Sequence, residues 1–217
     1  MKLYSRPLSP FAARCRIQLY AKGLPFELVP VPMPNPEAFR ALNPIGKVPA
    51  LEIGGEVIPE SQVICEYLEA RFPEPPLLPL EPGARARAQL LSRIVDLYLL
   101  PLVDPLADQL DPATRDDNRL RQQLADIDRC LDQLETLLSP GPLAVGVDLT
   151  LADCALAPAF FLLTRALSVL EQSPFDSRPS SRRGGRRWRS SLPSSVSTRR
   201  WSAVCRTSAP AGARHAR

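Results

Sequence analysis

Histidine is almost missing: the chain has one, His215, close to its C-terminus. Catalytic triads and metal sites built on imidazole therefore have no material in the body of the protein. Cysteine is present but scattered. Cys15, Cys65, Cys130, Cys154 and Cys205 are odd in number and form no Cys-x-x-Cys, so neither a zinc site nor a redox dithiol is indicated. That usage fits a reduced, cytoplasmic protein. No run of 18 or more apolar residues occurs, and Met1-Lys2-Leu3-Tyr4-Ser5-Arg6 lacks the apolar centre of a signal peptide, so no membrane association is expected. Apolar residues make up 45% of 217, enough for a sizeable core in one or two domains.

The net charge of +4 hides an asymmetry. Beyond Leu170 stand eleven arginines and only two acids, Glu171 and Asp176, a local charge of +9 that leaves −5 for residues 1–170. A mildly acidic body carries a strongly basic tail.

In chain order, Lys2 to Ser5 reads as a strand and Arg6 to Pro10 as a turn, because Pro7 and Pro10 disfavour helix before them. Phe11 to Gly23 is a helix with Cys15, Ile17, Leu19 and Tyr20 in its apolar set, stopped by Lys22-Gly23. Phe26 to Val31 is a strand, and Pro36 to Leu42 a short helix. The most informative stretch follows: Asn43-Pro44-Ile45-Gly46-Lys47-Val48-Pro49-Ala50-Leu51, then Ile58-Pro59-Glu60-Ser61-Gln62-Val63-Ile64-Cys65-Glu66-Tyr67-Leu68. Val48-Pro49 at a strand entry suggests a special bend such as a cis peptide. Gly54-Gly55 makes a hairpin turn. Glu60-Ser61 opens an amphipathic helix with Val63, Ile64, Tyr67 and Leu68 on one face and Ser61 as its N-cap. A helix start beside a carboxylate can hold both ends of an amino acid: free N–H groups take its carboxylate and Glu60 takes its ammonium.

From Ala84 the pattern becomes long helices. One runs to about Leu110, bent near Pro101 and Pro105. Another spans Asp116 to Leu138, its row of Leu120, Leu124, Ile127, Leu131, Leu134 and Leu138 at helical spacing and expected in the core. Thr150 and Asp153, in Gly146-Val147-Asp148-Leu149-Thr150-Leu151-Ala152-Asp153, form a Thr-x-x-Asp capping pair whose loss should cost ~1 kcal/mol.

The Gly46–Leu51 strand and the Glu60-Ser61 helix start resemble the glutathione-binding half of cytosolic glutathione transferases, and Gly146 to Asp153 is similar to a folding motif of that family's helical domain. The resemblance implies an α/β thioredoxin-like N-terminal domain (1–78), a linker (79–86) and an all-α C-terminal domain (87–170). It also implies roles. Pro49 is cis, the Val48 backbone pairs with glutathione like an added strand, Glu60 and Ser61 hold the γ-glutamyl group, and Lys47 meets the glycyl carboxylate. Asn43 reads as a turn residue.

An enzyme of this kind must stabilise a thiolate, so a donor is needed just before the first helix. Ser9-Pro10-Phe11 resembles the Ser-Pro-Phe of serine-type members, tau- and zeta-like, whose serine hydroxyl points at the glutathione sulfur. Ser9 leads; Ser5 is the alternative, and Tyr4 stands behind both as an aromatic of a buried strand. With no cysteine at position 9, mixed-disulfide chemistry is disfavoured. Cys15 reads as a small buried hydrophobe, and Arg14 and Arg16 as a solvated helix face.

The expected function is conjugation of glutathione, as co-substrate and without a metal, to a hydrophobic electrophile held between the domains near Tyr98 and Leu99. Alternatives are a glutathione-dependent isomerase or a non-catalytic module of the same fold. A homodimer is implied, and the expected location is cytoplasmic.

Past Leu170 the resemblance stops, and residues 171–217 read as a basic, disordered tail. One coding of Arg178-Pro179-Ser180-Ser181-Arg182-Arg183-Gly184-Gly185, with a single base inserted before codon 180, becomes Arg-Pro-Lys-Leu-Ala-Ala-Trp-Trp, the expected start of a final helix. We read the tail as a frame shift, a reading that intact nucleotides with no restored frame would overturn. It would leave Phe160, Phe161, Leu163 and Leu167 uncovered. The rival, a nucleic-acid-binding arm, is disfavoured by sparse aromatics.

Overall fold

A computed structural model describes residues 1–172; the basic tail and its expected frame shift lie outside the described residues. Strand and helix alternate in the expected order: β1 (Lys2–Ser5), α1 (Pro10–Ala21), β2 (Glu27–Pro30), α2 (Glu37–Leu42), β3 (Ala50–Ile53), β4 (Glu56–Pro59) and α3 (Ser61–Arg71). They build one sheet in the order β2-β1-β3-β4, with β1 and β2 parallel and the other pairs antiparallel. The parallel pair needs a crossover, which α1 supplies. The hairpin turns at Gly54 and Gly55, whose φ angles of 61° and 87° suit glycine. One face of the sheet buries Leu3 and Leu51 against Cys15 and Leu19 of α1 and Ile64, Cys65 and Leu68 of α3. The other face carries a smaller cluster in which Phe39 of α2 meets Val31 and Ala50.

Two helices bury different faces from those expected. In α1, Cys15, Ile17 and Leu19 are buried, but Tyr20 lies at the surface against the Phe26 ring, and Arg14 and Gln18 are inside. Both polar side chains are paired across to other helices. Gln18 Nε2 donates to the Cys65 carbonyl and to Glu69 Oε1, each at 2.9 Å. In α3 the buried stripe is Ser61, Ile64, Cys65 and Leu68, the i, i+3, i+4, i+7 set. Val63 falls off that stripe and is 50% exposed.

The second part opens with α4 (Pro82–Ile94), capped by Glu81, whose carboxylate accepts from the N–H groups of Gly83 and Ala84 at 2.7 and 2.5 Å. Those bonds hold the Glu81 carboxyl below its ordinary value. The expected long helix is broken earlier than its prolines. A π-helical turn occupies Val95–Leu99, followed by α5 (Leu100–Val103) and a 3-10 segment, Asp104–Gln109. Pro101 has no N–H to give the preceding turn, so the backbone widens there, and the Leu100 N–H reaches back to the Val95 carbonyl.

α6 (Asp117–Leu137) is capped by Asp116 and buries Leu120, Ile127, Leu131 and Leu134, with Leu124 and Leu138 at the edge of the core. α7 (Leu151–Gln172) is long and apolar enough to cross a bilayer, with a mean hydropathy of 1.5 over Leu151–Leu170. It sits instead against α1 and α4, and its side chains join one core shared with the first domain. Phe160 and Leu163 belong to that core and are not left uncovered; Phe161 is 51% exposed and Leu167 partly so.

Candidate functional site

Three connections meet at one end of the sheet, and strand register puts them there. Ala50, the first residue of β3, stands opposite Tyr4 near the end of β1 and opposite Pro59 at the end of β4. The chain leaves β1 through Arg6–Ser9, enters β3 through Val48–Pro49, and leaves β4 through Glu60–Ser61. Ser9, Val48, Pro49, Glu60 and Ser61 are therefore gathered on one rim by strands only four residues long.

The Val48–Pro49 peptide is cis. Val48 precedes β3, and among the described residues its backbone makes no hydrogen bond. Asn43, buried, shapes the approach: its Nδ2 donates to the Lys47 carbonyl at 2.8 Å and its Oδ1 accepts from the Ile45 N–H at 3.2 Å. It is the turn residue expected. Lys47 itself is exposed.

Ser61 is not the N-cap of α3. It is the first helical residue, and Glu60 takes the cap position with no side-chain cap bond. Glu60 has a φ of 67°, the one positive value among the described non-glycine residues. Such a backbone costs ~1–3 kcal/mol and collects at binding sites. The exposed Glu60 carboxylate is thus held at the rim at the expense of stability. Glu60→Gly is expected to raise the unfolding free energy by about 1 kcal/mol while removing the carboxylate from the rim. Chemical denaturation beside ligand titration measures both.

The feature that sequence reasoning missed lies beneath Ser61. Arg14 is 1% exposed, not part of a solvated face. Its Nη1 donates to Asp96 Oδ2 at 3.0 Å, its Nη2 pairs with Asp96 Oδ1, and the same Nη1 lies 3.5 Å from Ser61 Oγ. Asp96 stands in the π-helical turn, 82 residues along the chain, so no local pattern announces the pair. The one available signal was an arginine on the same side of α1 as Cys15 and Gln18.

The three donors named for a thiolate are placed differently. Tyr4 Oη donates to Glu52 Oε2 at 2.7 Å, and that bond holds the phenol above its ordinary value. Ser5 is buried, its Oγ between the Arg6 carbonyl and Arg16 Nη1. Ser9 is partly buried and caps α1, its Oγ accepting from the Ala12 N–H at 3.2 Å. That bond uses the oxygen and leaves the hydroxyl proton to donate elsewhere.

Cys15, Cys65, Cys130 and Cys154 are all buried. Burial pushes the Cys15 and Cys154 thiols well above their ordinary value, which keeps them poor nucleophiles. Among the described residues no group of three or more His, Cys, Asp or Glu side chains is placed to hold a metal ion. Of the pair named for the second substrate, Tyr98 is 60% exposed, whereas Leu99 is fully buried in the core.

Comparison with known proteins decides the family. The model for the glutathione S-transferase N-terminal domain matches residues 3–76, and that for the glutathione S-transferase C-terminal domain matches residues 94–193. The chain belongs to the glutathione S-transferase family. This transferase-family chain is 38% identical over 165 residues to glutathione S-transferase 1 of Dianthus caryophyllus, covering 73% of the chain and 75% of that protein. It is 33% identical over 183 residues to a maleylacetoacetate isomerase of Pseudomonas aeruginosa, covering 80% and 86%. Among solved structures, a holo maleyl pyruvate isomerase described as a bacterial zeta-class glutathione S-transferase superposes with a TM-score of 0.66 at 33% identity, over 80% of this chain and 87% of that one. The rim formed by Val48, Pro49, Glu60 and Ser61 lies wholly within the segment matched by the N-terminal model.

Proposed function

We propose that the chain is a glutathione-dependent enzyme in which Ser9 stabilises the glutathione thiolate for attack on an electrophilic carbon. The observation that carries this reading is the convergence of Ser9, Val48–Pro49 and Glu60–Ser61 on one rim. The exposed Glu60 carboxylate suits the ammonium of a γ-glutamyl group, and the start of α3 beside Ser61 suits its carboxylate. The Val48 backbone is available for strand-like pairing with the peptide, and Lys47 suits the glycyl carboxylate. The partly buried Ser9 hydroxyl, with its proton unclaimed among the described residues, stands at the start of α1, where the helix dipole favours an anion. Ser5 and Tyr4 are already committed to other partners.

Conjugation and isomerisation begin with the same step, in which thiolate sulfur bonds to carbon. They differ in whether the carbon–sulfur bond persists or breaks again to return glutathione. Isomerisation is the second reading, favoured by the isomerase relatives. Exposed Tyr98 fits the mouth of a second-substrate site. Val63, Leu90 and Leu97, each about half exposed, supply apolar surface for a second copy of the chain.

Thiol consumption separates the readings. With an aryl halide, a conjugating enzyme consumes one glutathione per product. With a cis-enone dicarboxylate, an isomerase makes product while the thiol concentration stays constant. Turnover of either confirms an enzyme and assigns the class. Binding without turnover of any electrophile contradicts the proposal and favours a non-catalytic role.

A further inference from the structure

Every second residue from Pro30 to Pro36 is a proline, in the order Pro30-Val31-Pro32-Met33-Pro34-Asn35-Pro36. This connection between β2 and α2 therefore offers carbonyls with few N–H groups to match them, and the fixed φ of proline stiffens it. A guanidinium, which only donates, complements such a loop. Arg6 supplies one from the connection between β1 and α1. Its Nε donates to the Val31 carbonyl at 3.0 Å, and its Nη2 donates to the Pro32 carbonyl at 3.2 Å and to Asn35 Oδ1. Arg6 makes no ion pair among the described residues, so its side chain serves this loop. Asn35, partly buried and held by Arg6 at its oxygen, donates through Nδ2 to the Gly46 carbonyl. That carbonyl belongs to the peptide group before Lys47. The carbonyl of Lys47 itself accepts from Asn43 Nδ2 at 2.8 Å. Both peptide groups flanking Lys47 are thus pinned by side-chain amides, while the Lys47 side chain is exposed. Arg6 also fixes the other end of the rim, because its own carbonyl accepts from the Ser9 N–H at 3.3 Å. One residue connects the turn that carries Ser9 to the loop that carries Lys47.

We propose that Arg6 and Asn35 are positioning residues that hold Lys47 at a set distance from the Ser9 turn, and so favour a peptide whose terminal carboxylate stands one residue beyond its thiol. The inference rests on the glutathione reading above, in which the glycyl carboxylate meets Lys47. It adds that two loops outside the Lys47 strand build this end of the site. A peptide that ends at its cysteine gains nothing from them. Neither Arg6 nor Asn35 touches the ligand; each acts through the backbone on either side of the residue that does.

A strut that only ties loops together would weaken every ligand alike, and the test uses that. Calorimetric titrations of the full chain compare glutathione with γ-glutamylcysteine, the same peptide without its glycine. Asn35→Ala is expected to raise the glutathione Kd about threefold to tenfold, the worth of one hydrogen bond, and to move the γ-glutamylcysteine Kd less than about twofold. In a Lys47→Ala background nothing is left to position, so adding Asn35→Ala is expected to change the glutathione Kd less than about twofold. Should Asn35→Ala lose its cooperative unfolding transition, Arg6→Lys is measured instead. It keeps the charge but loses the planar fork that serves Val31, Pro32 and Asn35 together, and the same fall in preference is expected. Equal weakening of both ligands, an unchanged preference, or a full loss repeated in the Lys47→Ala background overturns the inference alone. An unmodified chain that binds both peptides equally well overturns it together with the role of Lys47. An unmodified chain that binds neither overturns the glutathione reading and this inference with it.

Discussion

Ser9→Ala is expected to lower turnover about a hundredfold at neutral pH while leaving the Kd for glutathione nearly unchanged. The size is that of removing one pre-aimed donor to a developing or resident anion. A free thiol has a pKa of about 8.5, so most of it is protonated at neutral pH without a stabiliser. Removing the hydroxyl moves the thiol of bound glutathione back toward that value. The pH profile of the variant should therefore rise into the alkaline range, with activity partly recovered there. Ser9 also caps α1 through the Ala12 N–H, so the variant loses about 1 kcal/mol of stability as well. Ser5→Ala is the control. Its hydroxyl is buried between Arg6 and Arg16, and its loss is expected to leave the thiol titration in place. Ultraviolet titration of the bound thiolate in both variants measures this directly, and a loss confined to Ser5→Ala would move the role to Ser5.

Asp153→Ala is expected to destabilise the fold by about 3–5 kcal/mol, far beyond the ~1 kcal/mol that a surface cap is worth. The reason is burial and the number of partners. The Asp153 carboxylate is fully buried and accepts from the Ala144 N–H at 2.8 Å and from both the N–H and the hydroxyl of Thr150 at 2.7 Å. Truncation leaves these buried donors without an acceptor, at a cost of about 1–3 kcal/mol each before relaxation. Ala144 belongs to the loop before α7, so the residue ties that loop to the helix as well as closing the helix start. Natural domains hold only about 5–15 kcal/mol in all, and the midpoint of thermal unfolding should fall by roughly 10 °C. Thr150→Val, which removes a single donor, is expected to cost about 1 kcal/mol.

The order of elements was legible because each carries a local signal. Gly54-Gly55 gives the hairpin and Lys22-Gly23 stops α1, with the Gly23 and Leu24 N–H groups closing on Tyr20 and Leu19. The Lys47–Leu51 and Glu60-Ser61 strings likewise carry the rim. What escaped depends on distant partners. Arg14 in α1 looks like a solvated arginine until Asp96 arrives from the other domain. Ser61 has the chemistry of an N-cap, yet the turn at Glu60 takes that place and turns the serine inward. Val63 and Leu99 show that an apolar residue on a helix does not reveal which side the neighbours will cover: one is half exposed, the other in the core. The capping pair was read in the right place, while its burial and its tie to Ala144 were not read. Asp153 accepts from the Thr150 N–H, and the Thr150 hydroxyl donates to the same carboxylate oxygen.

The most direct test of the glutathione site is a thermal-shift titration of the full chain with glutathione. A ligand that binds only the native state adds RT ln(1 + [L]/Kd), about 2.7 kcal/mol at a hundred times Kd. The account predicts a midpoint that climbs with ligand concentration along this curve, and a climb that is lost in Glu60→Ala/Ser61→Ala. A midpoint that stays fixed at every glutathione concentration would contradict it, and with it the roles given to Val48, Glu60 and Ser61.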